Sequence, residues 1–169
     1  MMKTCEKRIN VVQGEFRVSH DPKVVLTTLL GSCVAACIRD PVAGIGGMNH
    51  FLLPGDACSS PEGKGVHLMD LLLNGLMRQG AQRERLEARI FGGAFMMAGL
   101  SDIGARNADF ARSFLSHEGI KLLGGDTGGT QGRRIQFSPG SGRVLQSYIA
   151  QVIETRPAKF APRAEIDLF

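Results

Sequence analysis

The chain has 169 residues, 43% hydrophobic and 21% charged, which is the make-up of an ordinary globular domain able to bury a core without metal or disulfide staples. Its 20 Lys and Arg against 16 Asp and Glu leave a formal charge of +4, a mild excess that suits a solvated basic face or a docking surface for an acidic partner. No dense basic run with interleaved aromatics occurs, which argues against nucleic-acid binding, and no apolar run approaches the roughly 18 residues needed to span a bilayer.

Residues 1–10 lack the apolar stretch of a signal peptide. The cysteines Cys5, Cys33, Cys37 and Cys58 form neither a CxxC pair nor a Cys/His zinc spacing. The expectation is a cytoplasmic chain with reduced thiols, no metal and no cofactor.

In chain order, residues 9–18 alternate loosely and predict a first strand or hairpin arm, broken at His20-Asp21-Pro22. Val24 to Leu30 is β-branched and apolar, a buried strand. Gly31-Ser32 interrupts it and Cys33 to Arg39 resumes strand character. Asp40 to Gly44 is a turn, and Ile45 to Leu53 a further strand ending at Pro54-Gly55. Residues 55–65 read as a surface loop. Val66 to Gln79 predicts a helix with Met69, Leu72, Leu73 and Leu76 inward and His67, Asp70, Asn74 and Arg78 in water, closed by Gly80. Leu86 to Ile90 is a strand, and Phe91 to Ala94 a tight connection. A second helix is expected from an N-cap at Asn107 to Glu118, with Phe110, Ala111, Phe114 and Leu115 inward. Ile120–Leu123, Arg134–Phe137 and Arg143–Ile153 read as strands, with a turn over Ser138–Gly142.

Tight turns between strands predict mostly antiparallel pairing. The fold class is α+β, with helices packed outside one or two sheets. Residues 1–153 form one domain and residues 154–169 a loosely ordered tail.

The chemistry centres on Leu30-Gly31-Ser32-Cys33 and Gly47-Met48-Asn49-His50. A thiolate is a nucleophile, and a nearby histidine can lower a thiol pKa and act as its base. The two lie 17 positions apart, so the hairpin must join them, and it does so only at one parity. If Pro41 to Gly44 form a four-residue loop, Asp40 faces Ile45 and Cys33 faces Leu52. His50 then lies two residues away on the face of Cys33. A three- or five-residue loop would turn His50 to the other face. Gly31 lets the chain turn sharply before Cys33, and backbone N–H groups at Gly31 and Ser32 could stabilise an oxyanion. The structural alternative is a β-bulge at Gly31 with Cys33 as a small core residue.

Thr27, Leu30-Gly31-Ser32-Cys33-Val34-Ala35, Arg39-Asp40-Pro41 and Gly47 to Pro54 together resemble the CheD family of chemoreceptor glutamine deamidases. Phe91-Gly92-Gly93-Ala94, Ile103 to Asn107, Asp126-Thr127-Gly128-Gly129 and Gly132-Arg133 agree with it. The resemblance covers about residues 10–150. It implies a Cys/His/Thr trio on Cys33, His50 and Thr27, and a sandwich similar to that of the cytotoxic necrotizing factor toxins. It also implies hydrolysis of glutamine side-chain amides on methyl-accepting chemotaxis receptors through a Cys33 thioester. Thr27 would orient the imidazole, and its alternative is a plain strand residue. A receptor methylesterase and a non-catalytic binding partner of a CheC-type phosphatase are the rival readings. No nucleic acid and no membrane insertion are expected.

Cys37 shares a face with Cys33 and reads as a core thiol. Cys5 and Cys58 read as exposed, as do His67 and His117, while His20 has no evident partner. The single Asp126-Thr127-Gly128 triplet reads as a structural turn, because aspartic-protease chemistry needs two carboxylates. Gly44, Gly46 and Gly47 have no following helix and so make no dinucleotide fingerprint.

Overall fold

The computed structural model describes residues 5–53, 61–96, 102–149 and 166–168. Its elements are β1 (Lys7–Asn10), β2 (Phe16–Ser19), β3 (Val24–Leu30), β4 (Val34–Asp40), β5 (Ile45–Asn49), α1 (Pro61–Arg78), β6 (Glu87–Gly92), α2 (Ile103–His117), β7 (Lys121–Thr127), β8 (Gly132–Phe137), β9 (Val144–Ile149) and β10 (Ile166–Leu168). The strands make two five-stranded sheets, ordered β1-β3-β8-β9-β10 and β2-β5-β4-β6-β7. The pairs β1–β3 and β6–β7 are parallel and the others antiparallel. The fold is α+β with mostly antiparallel sheets, as expected.

Period-two alternation along the strands builds two cores. Leu26 and Leu30 of β3, with Ile135 and Phe137 of β8, face Ala35 and Cys37 of β4, Met48 of β5 and Phe91 of β6, filling the space between the sheets. The residues of β4 and β5 on the other parity, Val34, Ala36, Ile38 and Ile45, pack under Met69, Leu72, Leu73 and Leu76 of α1 and Ala108, Ala111 and Leu115 of α2. Both helices therefore cover the outer face of the second sheet, and the layers run sheet, sheet, helices. His67, Asp70, Asn74 and Arg78 stay in solvent, as the helical period requires.

Three expectations are corrected. Residues 9–18 form no hairpin arm, because β1 joins one sheet and β2 the other. Helix α1 begins at Pro61 and takes in residues read as loop. Proline is well tolerated in the first turn of a helix, and a side chain at Gly65 would collide with Leu53 and Phe110. The N-cap of α2 is Asp102, whose carboxylate accepts from Ala105 N–H at 2.9 Å; Asn107 lies a turn inside, fully buried. Within the stretch expected to be a tail, Ile166–Leu168 pairs antiparallel with β9 and adds a strand to the first sheet. Pro54-Gly55, Cys58 and residues 150–165 lie outside the described residues. Among the described residues no helix is long and apolar enough to cross a membrane.

Candidate active site

The hairpin parity is met. Asp40 pairs with Ile45, Arg39 with Gly46, Ile38 with Gly47 and Cys37 with Met48. The same register resumes at the Val34–Phe51 bridge. Between these points β5 leaves β4 for two residues. The Asn49 side chain substitutes for a backbone partner by accepting Ala36 N–H at 2.9 Å. His50 turns its backbone to the segment before β2, donating to Glu15 O at 3.1 Å and accepting from Gly14 N–H at 2.8 Å. Cys33 packs against the inter-sheet core, and the parity sends His50 to that side as well.

His50 is 6% exposed and its imidazole is held at one nitrogen. Nδ1 lies 2.8 Å from Thr28 Oγ1 and 3.2 Å from Val11 O. Thr28 Oγ1 gives its own proton to Val11 O at 2.6 Å, so toward His50 it accepts. A carbonyl oxygen also only accepts. Nδ1 therefore carries the hydrogen of the neutral ring, and Nε2 holds the lone pair. Nε2 is buried without a hydrogen-bond partner. The imidazole thus has its basic nitrogen unspent on the face it shares with Cys33.

The hydroxyl beside the imidazole is that of Thr28, the neighbour of the expected Thr27. Alternation on β3 sends Leu26, Thr28 and Leu30 inward and Thr27 to the opposite face. There Thr27 lines an open depression with Arg8, Asn10, Arg134 and Gln136, which Thr28 and Leu29 also border.

The Gly31–Cys33 loop is fixed through its carbonyls. Gly31 O accepts from Ala94 N–H at 3.0 Å and Cys33 O from Gly93 N–H at 2.8 Å. Ser32 O accepts from Asn107 Nδ2 at 2.8 Å. Asn107 in turn takes Leu53 N–H at 2.9 Å on its Oδ1, so one buried amide ties this loop to the segment after His50. Each trans peptide points its N–H opposite to its C=O. The N–H groups of Ser32 and Cys33 are thereby aimed away from β6 and α2. Gly92 makes this approach possible: at φ +106°, a Cβ there would stand 2.2 Å from Cys33 O. Arg133, 2% exposed, buttresses the same corner, donating to Gly92 O at 3.2 Å, Gly128 O at 2.8 Å and Asp126 Oδ2 at 3.0 Å.

Electrostatics set a neutral resting pair. Burial pushes the Cys33 thiol pKa up from 9.0, against a smaller lowering by its own backbone N–H. Burial also pushes His50 below 6.5, against a smaller raising by Val11 O. Burial thus outweighs the other influences at both groups, and each is moved toward its neutral form. Cys33 Sγ lies 3.7 Å from Gln13 Oε1.

Nothing in the sequence marks Thr28 or Gln13, and Asn107 and Arg133 stand out there only as members of the resembling motifs, Asn107 also as an expected N-cap. Cys37 is a buried core thiol and Cys5 is exposed, as read. His20 has a partner after all, its Nδ1 lying 3.1 Å from Gln79 Oε1. Asp126 sits at the end of β7 and accepts from Arg133, Gln146 and Tyr148, so its triplet braces the fold. Among the described residues no three His, Cys, Asp or Glu side chains gather as a metal site needs.

Residues 53–148 match the model of the family described as CheD chemotactic sensory transduction. A Sinorhizobium medicae protein named "Probable chemoreceptor glutamine deamidase CheD" is 53% identical over 96% of this chain and 96% of its own. Proteins of the same name from Rhizobium meliloti and Acidiphilium cryptum are 53% and 56% identical over 95% and 96% of this chain and 90% and 86% of theirs. Among solved structures, a Neisseria meningitidis protein of the DUF152 family matches at 12% identity and TM-score 0.45, over 67% of this chain and 52% of that one.

Proposed function

The chain belongs to the CheD family, and from that premise we propose that it is a cytoplasmic chemoreceptor glutamine deamidase. It hydrolyses glutamine side-chain amides on methyl-accepting chemotaxis receptors to glutamate and ammonia, with Cys33 as nucleophile and His50 as acid and base. The observation that carries this reading is the state of the imidazole, with Nδ1 pinned by Thr28 and Val11 and Nε2 left buried and unpartnered on the face of Cys33.

Because both groups rest neutral, the thiolate forms by transfer of the Cys33 proton to His50 Nε2 as the substrate arrives. The thiolate adds to the amide carbon, and the developing oxyanion is met by the N–H groups of Ser32 and Cys33, with Gly31 supplying the turn that presents them. Collapse expels ammonia, which takes its proton from the His50 imidazolium. A thioester on Cys33 remains. Neutral His50 then removes a proton from water, which attacks the thioester and releases glutamate. Thr28 takes the place first assigned to Thr27 as the positioning residue of the ring.

The test is mass spectrometry and ammonia release on receptor fragments. Wild type should add about one dalton per converted glutamine, as an amide becomes an acid. Cys33→Ala should fold normally and release none. Full activity in Cys33→Ala would sink the mechanism. Loss of methyl esters without ammonia would replace the reading with an esterase.

A further inference from the structure

The segment joining β1 to β2 crosses from one sheet to the other at the mouth of the site. It is a closed turn: Glu15 N–H donates to Val12 O at 3.0 Å, and Val12 N–H to Glu15 Oε2 at 3.3 Å. Gly14, at φ +88°, suits the third position of a type II turn and leaves Gln13 at the tip. Both flanks are fastened to the backbone of His50, through Gly14 N–H to His50 O and His50 N–H to Glu15 O. The turn is therefore a shelf built onto the proposed base. From it the exposed Gln13 side chain reaches Cys33, with Oε1 3.7 Å from Sγ.

That oxygen belongs to a primary carboxamide on two methylenes, the chemical group of a glutamine substrate. Its contact with the thiol coexists with an unpartnered His50 Nε2. The thiol thus has within its reach an amide oxygen that cannot take its proton as a base would, while the proposed base has no partner. We propose that the Gln13 amide rests in the subsite of the substrate's amide, as a specificity-determining internal competitor that an incoming glutamine displaces. The inference rests on the deamidase reading. Displacement costs one exposed hydrogen bond to sulfur, so the competitor is weak and leaves readily.

The experiment uses the full chain, with iodoacetamide labelling of Cys33 followed by peptide mapping, beside ammonia release from a glutamine-bearing receptor fragment. Gln13→Ala should alkylate Cys33 about 3- to 10-fold faster, and kcat/KM should rise by a similar factor, the worth of one ordinary hydrogen bond. Gln13→Glu keeps the reach but sets a carboxylate beside the sulfur, which disfavours the thiolate, so its alkylation should be slower than wild type. Unchanged labelling in Gln13→Ala, or a fall in kcat/KM, overturns the inference while ammonia release by wild type leaves the deamidase reading standing. Absence of ammonia release by wild type sinks that reading itself.

Discussion

The β4–β5 hairpin has two ends of opposite character. At the loop end Asp40 is completely buried, yet both carboxylate oxygens are taken: the N–H groups of Val42, Ala43 and Gln82 donate at 2.8–3.0 Å, and Arg85 at 2.8–3.0 Å through Nε and Nη2. At the open end His50 is almost as buried, but one ring nitrogen has no partner and the Cys33 thiol has one long contact. The first end spends all its polar capacity on the fold. The second keeps some unspent, and an orphaned buried polar atom is an expense that stability alone does not explain.

The largest expected effect lies at the satisfied end. Asp40→Ala removes the buried carboxylate that holds three N–H groups and the Arg85 guanidinium, and should cost about 3 kcal/mol of stability, read as a lowered denaturant midpoint. Activity should be retained by the fraction still folded. A loss of kcat without loss of stability would break the contrast.

Next comes the imidazole anchor. Thr28→Val should lower kcat about 10- to 100-fold, with partial rescue by Thr28→Ser, since a buried hydroxyl fixes the proton on Nδ1 much as outer partners fix histidine ligands elsewhere. The same change at Thr27 should leave kcat within about twofold, as surface substitutions away from a site usually do. Comparable losses at both positions would return the role to Thr27.

The smallest effect is in pH. Activity needs neutral Nε2, and burial holds His50 below 6.5, so the acid limb of kcat/KM should fall below pH 6.5. Linkage has the same sign. The folded state resists a proton that the unfolded chain accepts, so this end contributes its full stability above pH 6.5 and loses it as pH drops through the lower folded value. Asp40 is different: burial alone would raise its pKa, but Arg85 and the three N–H groups outweigh that and hold it well below 3.8. Its stability is present above that pH and is lost only in stronger acid. An acid limb above pH 7 would contradict the neutral pair.

Much of this was legible. A four-residue loop, Pro41 to Gly44, set the pairing of Asp40 with Ile45, and that pairing alone put Cys33 and His50 on one face. Adjacent threonines were harder. On β3 both alternating sets, Val25-Thr27-Leu29 and Leu26-Thr28-Leu30, are apolar around a threonine, so period alone does not choose the inward one. What decides is that Leu29 is 54% exposed and Leu30 buried, a property of the second sheet's position. The start of α1 was hidden because Pro61, Gly63 and Gly65 carry turn signals. Gln13 and Asn107 meet partners distant in sequence, so the motif that contains Asn107 does not reveal its contacts with Ser32 and Leu53, and no local pattern marks Gln13.

Thr28 belongs to one sheet and His50 directly follows β5 of the other, so the hydrogen on Nδ1 is held across the gap of the sandwich. The width of that gap is thus a chemical setting as well as a mechanical one. A substitution that props the layers apart, such as a larger residue at the fully buried Ala35, would loosen the grip on the ring and let the proton wander to the wrong nitrogen. In this molecule the filling between the sheets acts as a tuning screw for a tautomer.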